Sequence, residues 1–164
     1  MVAIRKSNEE GHRRKFLVVV DETPECDRAI VYAAKRAART GGVVTLVFII
    51  APGDFQHWLG VEDIMRAEAQ EEAEAALAKA AERVRSVART EPETVVREGS
   101  KSEEILDLIE ADADIAILIL AASSGSEGPG PLVSSIAGKT AGTFPIPVTI
   151  VPGNLDDDSI AALA

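Results

Sequence analysis

Few residues in this chain combine the types and spacing that chemistry requires. Asp21 directly follows the apolar run Phe16–Val20. A carboxylate at a strand exit can face a ribose hydroxyl or the amino group of a base. The turn Asp21-Glu22-Thr23-Pro24 can equally serve to open a helix, and position alone leaves both roles open. A second candidate is the segment AASSGSEGPGP at 121–131, where Gly125, Gly128 and Gly130 lie near Ser123, Ser124, Ser134 and Ser135. Glycine lets a backbone approach a ligand closely, and exposed N–H groups beside a helix start form an anion site. The segment holds neither GxxxxGK[ST] nor GxGxxG, however, and Glu127 sits inside it with no Lys or Arg before Lys139. That argues against a tight triphosphate clamp, and an ordinary loop is the competing reading.

Catalytic and metal constellations are absent from the sequence. The histidines, His12 and His57, stand far apart, and no HExxH or CxxC occurs. Cys26 is the only cysteine and is expected to pack as a small residue on the first helix. The nucleophile elbow GxSxG is missing. The chain therefore reads as a non-enzyme with no metal site. The sole tryptophan, Trp58, follows His57 in the segment after the second strand, where it can cover the core or stack on a base.

The framework that must position these residues is bounded by composition. The chain has 164 residues, 46% hydrophobic and 27% charged, which fits one globular unit with a sizeable core. Its formal net charge of −10 repels phosphate backbones, so nucleic-acid partners are disfavoured. A lone cysteine points to a reducing compartment. The apolar runs Val43–Ala51 and Ile115–Ala122 are each shorter than a membrane span, and no apolar stretch follows the basic residues near the start as a signal peptide requires. A cytoplasmic location without membrane association is expected.

Short, wholly apolar runs alternate with helical patterns. Phe16–Val20, Val43–Ile50, Ile115–Leu120 and Val148–Val151 suit strands buried on both faces, with a weaker strand at Thr94–Arg97. Between them, Ile30, Ala33, Ala34, Ala37 and Ala38 recur at helical spacing after Pro24 and before Gly41. Met65–Ala88 carries a narrow apolar stripe, Ser100 and Glu103 form a capping-box pattern, and a last helix is expected over Ser134–Ala141. The order β-α-β-α-β-α-β-α-β predicts an α/β fold with a doubly wound parallel sheet. Residues 1–15, with a charge of +3, are expected as a flexible polar arm, 16–152 as the domain, and 153–164 as an acidic tail or short helix. In such folds ligands gather at the carboxyl ends of the strands, where the strand order reverses.

The chain resembles the universal stress proteins over nearly all of residues 16–152. The resemblance is carried by FLVVVDETPECDRAIVYAAKRAA, GGVVTLVFII, EGSKSEEILDLIEADADIAILIL and PIPVTIVP in this order. It implies a five-stranded parallel sheet of order 3-2-1-4-5, an adenine nucleotide alpha hydrolase-like arrangement, and a homodimer joined through the last strand. One branch of the family binds ATP through G-x2-G-x9-G-[S/T] after strand four. The corresponding positions here are Ala121, Ser124, Ser134 and Ser135, so that only Ser135 agrees and three glycines are replaced. The base-contacting carboxylate corresponds to Asp21, and the strand-two contact to Ile49. With their neighbours Val20, Leu120, Gly125 and Ile136, these positions make up the nucleotide-binding set that the resemblance implies.

An intact adenosine half and an altered phosphate half imply weak binding of AMP or ATP, or of a related ligand. The chain would then act as a stress-response module through dimerisation and partners. The edge residues Val148, Thr149, Ile150 and Val151 lie between Pro147 and Pro152, and pairing with a second copy would satisfy their backbone groups. The alternatives are an interaction protein whose pocket is closed by side chains, and a nucleotide hydrolase.

Overall fold

The structure, a computed structural model, describes residues 3–52 and 61–164. Branched apolar residues favour extended backbone and form the strands β1 (Lys15–Val19), β2 (Val43–Ile50), β3 (Glu93–Glu98), β4 (Ile115–Ala122) and β5 (Val148–Pro152). Between them run α1 (Cys26–Thr40), α2 (Val61–Ala88), α3 (Lys101–Ala111) and α4 (Pro131–Val133), and α5 (Asp157–Leu163) follows β5. The five strands form one sheet in the order β3-β2-β1-β4-β5, and every neighbouring pair is parallel. This is the expected doubly wound α/β arrangement.

Alternate residues of β1 enter two separate cores. Phe16, Val18 and Val20 pack with Ala29, Ala33 and Leu77 beneath α1 and α2. Leu17 and Val19 point the other way, to Ile105, Ile109 and Ile136. Each such burial is worth about 1.5–3 kcal/mol, and the alanines on the inner face of α1 let its axis come close to the sheet. That helix ends at Gly41, whose φ of 70° lets its N–H turn back to Ala37 O.

Several boundaries differ from those expected. β1 runs Lys15–Val19, β4 extends to Ala122, and α2 begins at Val61, where Glu62 and Asp63 suit the positive end of the helix. The last helix before β5 does not run over Ser134–Ala141. It starts at Pro131, whose fixed φ suits a first helical position, and widens over Ser134–Lys139 into π-type turns closed by Thr140 N–H on Ser135 O at 3.2 Å.

Within the segment expected as a flexible arm, Arg5, Lys6 and His12 are fastened to the body. α3 ends without a basic residue in its last turn, leaving carbonyls in need of donors. Arg5 supplies them: its Nη1 donates to Ile109 O at 2.6 Å and to Asp112 O at 3.1 Å. Lys6 N–H adds a bond to Ala113 O at 2.8 Å, and His12 Nδ1 lies 2.6 Å from Asp114 Oδ1.

The other end of the chain docks against α1. Asp156 caps α5 by accepting from Ser159 N–H at 2.7 Å, and Ile160 is fully buried. Asp157 receives Arg28 at 2.7 Å and Arg83 at 3.0 Å, while Arg83 also holds Asp27 at 2.9 Å. Burial alone would raise the Asp27 carboxyl, but hydrogen bonds from Arg83 and Arg28 outweigh it and hold it below the ordinary carboxylate value. The same two arginines lower Asp157. Both carboxyls are depressed in the folded state, so their contribution is complete above the ordinary value of 3.8 and is lost as pH falls through the lower folded values.

Two tests follow from this packing. Arg83→Met should lower the unfolding free energy at neutral pH by about 1 kcal/mol. In urea titrations the deficit should shrink as pH is taken below 3.8, where the carboxyls of the unfolded chain take up protons first. Gly153 sits where an added Cβ would lie 2.5 Å from Ala122 O and 3.0 Å from Glu25 Cβ. Gly153→Ala should therefore cost about 1–3 kcal/mol, measured as an earlier denaturation midpoint with an unchanged slope.

Candidate functional site

The connections that follow β1 and β4 lead to opposite sides of the sheet, to β2 and to β5, which opens a crevice at the carboxyl ends of these two strands. A cleft of about 330 Å³ lies there, at the small end of ligand pockets, which span roughly 300–1,000 Å³. Its floor is Val19, Leu120 and Ala121. Its walls come from the β1–α1 turn, the start of α3 and the segment 129–135.

Asp21 reaches this cleft from the end of β1. Its Oδ1 accepts from Thr23 N–H at 2.9 Å and from the Thr23 hydroxyl, an Asx turn that starts the path into α1. Among the described residues, Oδ2 accepts no hydrogen bond. One oxygen thus locks the turn, and the other keeps its acceptor capacity.

Cys26 lies in the same wall but is not a nucleophile. Burial, the largest effect, pushes its thiol up to about 12, and its Sγ is 3.6 Å from Val19 O. It packs as a small apolar residue, as expected.

The structure brings only part of the implied set to the cleft. Asp21, Leu120, Ala121 and Ser135 line it. Val20 lines a neighbouring cavity of about 700 Å³ between α1 and α2, which also touches Asp21 and Thr23. Ile49 is only 5% exposed and belongs to the core shared with Val19 and Ile105, away from the cleft lining. Ile136 is likewise core. Ser124, Gly125 and Ser134 also lie outside the lining. His57 and Trp58 fall outside the described residues.

The reason Ser124, Gly125 and Ser134 stand apart is visible in the backbone. The loop after β4 closes on itself. Ser123 N–H donates to Pro129 O at 3.1 Å, Gly125 N–H to Ser123 Oγ at 3.1 Å, and Gly128 N–H to Gly125 O at 3.3 Å. Ser134 N–H is taken by Gly130 O at 3.0 Å, inside the helical turn that Pro131 starts. Gly130 adopts φ of 109°, a conformation that a side chain would strain, and so lets the chain swing from the loop into α4.

Sequence reasoning missed Thr23, Glu25 and the stretch Ser100-Lys101-Ser102, all of which line the cleft. The signal was present: Ser100–Ser102 directly follows the β3 exit at Glu98-Gly99. The larger cavity between α1 and α2 is bordered by Asp27 and Arg83, already committed to one another and to Asp157, and it does not sit at the strand reversal. No group of three or more metal-ligating side chains with suitable placement occurs among the described residues, and no helix among them is long and apolar enough to cross a membrane.

Comparison with known proteins agrees with this geometry. Universal stress protein UspA from Lactobacillus plantarum superposes with a TM-score of 0.68 at 16% identity, covering 84% of this chain and 97% of that one. A universal stress protein from Archaeoglobus fulgidus in complex with dAMP gives 0.57 at 16% identity, over 92% and 99%. A family member from Arabidopsis thaliana with AMP bound gives 0.56 at 14% identity, over 88% and 94%. At these identities the likeness establishes a common fold. A search of curated proteins returned no match. The model of the universal stress protein family matches residues 12–152. The five parallel strands, their order and that match agree, and the chain belongs to the universal stress protein family.

Proposed function

We propose that the cleft at the β1–β4 boundary binds an adenine nucleotide, AMP in preference to a longer polyphosphate, and that the chain acts as a ligand-responsive stress module without turnover. The observation that carries this is Asp21 in the cleft lining, its Oδ1 committed to an Asx turn while Oδ2 accepts no hydrogen bond among the described residues. Such an oxygen suits a base amino group or a ribose hydroxyl. Thr23 and Ser135 add hydroxyls to the lining, and Leu120 and Ala121 offer an apolar floor for a ring. Related structures with dAMP and AMP support the choice of an adenine nucleotide, as does a universal stress protein solved in complex with cAMP. The modest cleft volume and the closed β4 loop favour a monophosphate over a triphosphate.

In calorimetric titration AMP should bind measurably and ATP no more tightly. Asp21→Asn keeps an acceptor for Thr23 but loses the charge and the second acceptor. It should weaken AMP about tenfold with an unchanged melting temperature, the loss of one charge-assisted hydrogen bond. No AMP binding by the parent protein would overturn the nucleotide role in favour of a closed interaction module. Steady phosphate release from ATP would overturn the absence of turnover.

The module is further proposed to work as a homodimer in the cytoplasm, joined through β5. Val148 and Thr149 are half-buried, and Ile150 is 38% exposed on a strand paired on one side only. Val151 is turned into the core of its own chain and contributes backbone to that edge. Pairing of two such edges would cover Ile150 and complete the backbone bonding. Light scattering should report twice the chain mass, and Ile150→Asp should shift it to the monomer; a monomeric parent protein would overturn this arrangement.

A further inference from the structure

A bound nucleotide needs a partner for its phosphate, and several N–H groups of the loop after β4 are already taken. The N–H groups of Ser123, Gly125 and Gly128 have acceptors within the loop, and Ser134 N–H has one at Gly130. Pro129 and Pro131 have no N–H to offer. Drawing this loop onto a phosphate would first break bonds that it already makes.

The charges around the cleft point elsewhere. Asp21, Glu25 and Lys101 are its charged lining residues, and the two carboxylates repel a phosphate. Lys101 is therefore the only cation among the described lining residues. It makes no ion pair among the described residues, whereas the neighbouring cleft's Arg83 is engaged by Asp27 and Asp157. Ser100 and Ser102 flank Lys101, and both also line the cleft. The Ser100 side chain makes no capping bond to α3, so its hydroxyl is not committed there. Glu103 and Glu104 in the first turn already answer the helix dipole, so the attraction for an anion is that of the lysine side chain itself.

We propose that Lys101 holds the phosphate of the bound nucleotide, with the Ser100 and Ser102 hydroxyls as neighbouring donors. The anion is thus taken by the start of α3, a different part of the lining from the segment in which the family's glycine pattern falls. This assignment rests on the nucleotide-binding role proposed above and makes it more specific. One ammonium group answers one phosphate, and a longer polyphosphate brings further negative charge toward Asp21 and Glu25. The ligand class is accordingly a nucleoside monophosphate.

The test is calorimetry of adenosine, AMP and ATP with the parent protein, Lys101→Met and Lys101→Arg. Lys101→Met should weaken AMP about tenfold and leave adenosine unchanged, while Lys101→Arg should keep AMP within about threefold of the parent. AMP binding to the parent should weaken as salt is raised, and Lys101→Met should lose most of that dependence. Lys101 is exposed, so the melting temperatures of all three proteins should agree, which makes a folding defect recognisable. Equal AMP affinity in the parent and Lys101→Met, or an equal loss of adenosine and AMP, would overturn the assignment to Lys101 alone. Absence of both adenosine and AMP binding in the parent would instead overturn the nucleotide role on which it rests.

Discussion

Burial of β1 on both faces is the constraint on which the remaining structure depends. Leu17 and Val18 are adjacent and fully buried, yet they serve different cores. A strand dry on both sides needs helices above and below it, and parallel neighbours on each edge to satisfy its backbone. β2 and β4 provide those edges. Because they lead away from β1 in opposite directions, the crevice at its end follows directly from the topology. The cleft is a by-product of how the central strand is hidden.

Around that core the charged residues perform two separate tasks. Arg28 and Arg83 gather Asp27 and Asp157, tying α1, α2 and α5 together at the surface. Each pair alone contributes little in solvent, but a shared network holds the rotamers of its members jointly. Asp21, Glu25 and Lys101 instead border open space. The strongly acidic sum of the chain hides this division, for the same residue types act as fasteners in one place and as potential ligand contacts in another.

Much of the architecture was legible in the residues. Continuous apolar runs marked buried strands, and the pair Gly41-Gly42 marked the end of α1. The strand order came from the family resemblance, since periodicity says nothing about which strands adjoin. The site was less legible. Asp21 is legible as a polar residue ending an apolar run, whereas Ile49, which the resemblance implies as a ligand contact, packs in the core with Ile105. That packing depends on the path of α3, which no local pattern encodes. Ser100–Ser102 escaped notice because a capping motif already explained it, and a helix start can line a cavity as well. Arg5 reads as solvent-exposed by type, but a guanidinium with several donors can close the end of a helix that is distant in sequence. The π-type turns after Pro131 carry no comparable sequence mark.

The fastening of Arg5 gives α3 the character of a strut. Its carboxyl end is clamped by Arg5 through Ile109 O and Asp112 O, while its opposite end forms a wall of the cleft. Eleven residues at about 1.5 Å each make a rod roughly 16 Å long, stiff on the scale of side-chain motion. One helix thus carries two duties at its two ends, an anchor for Arg5 and a rim for the cleft, so the Arg5 contacts are also contacts to the element that borders the site.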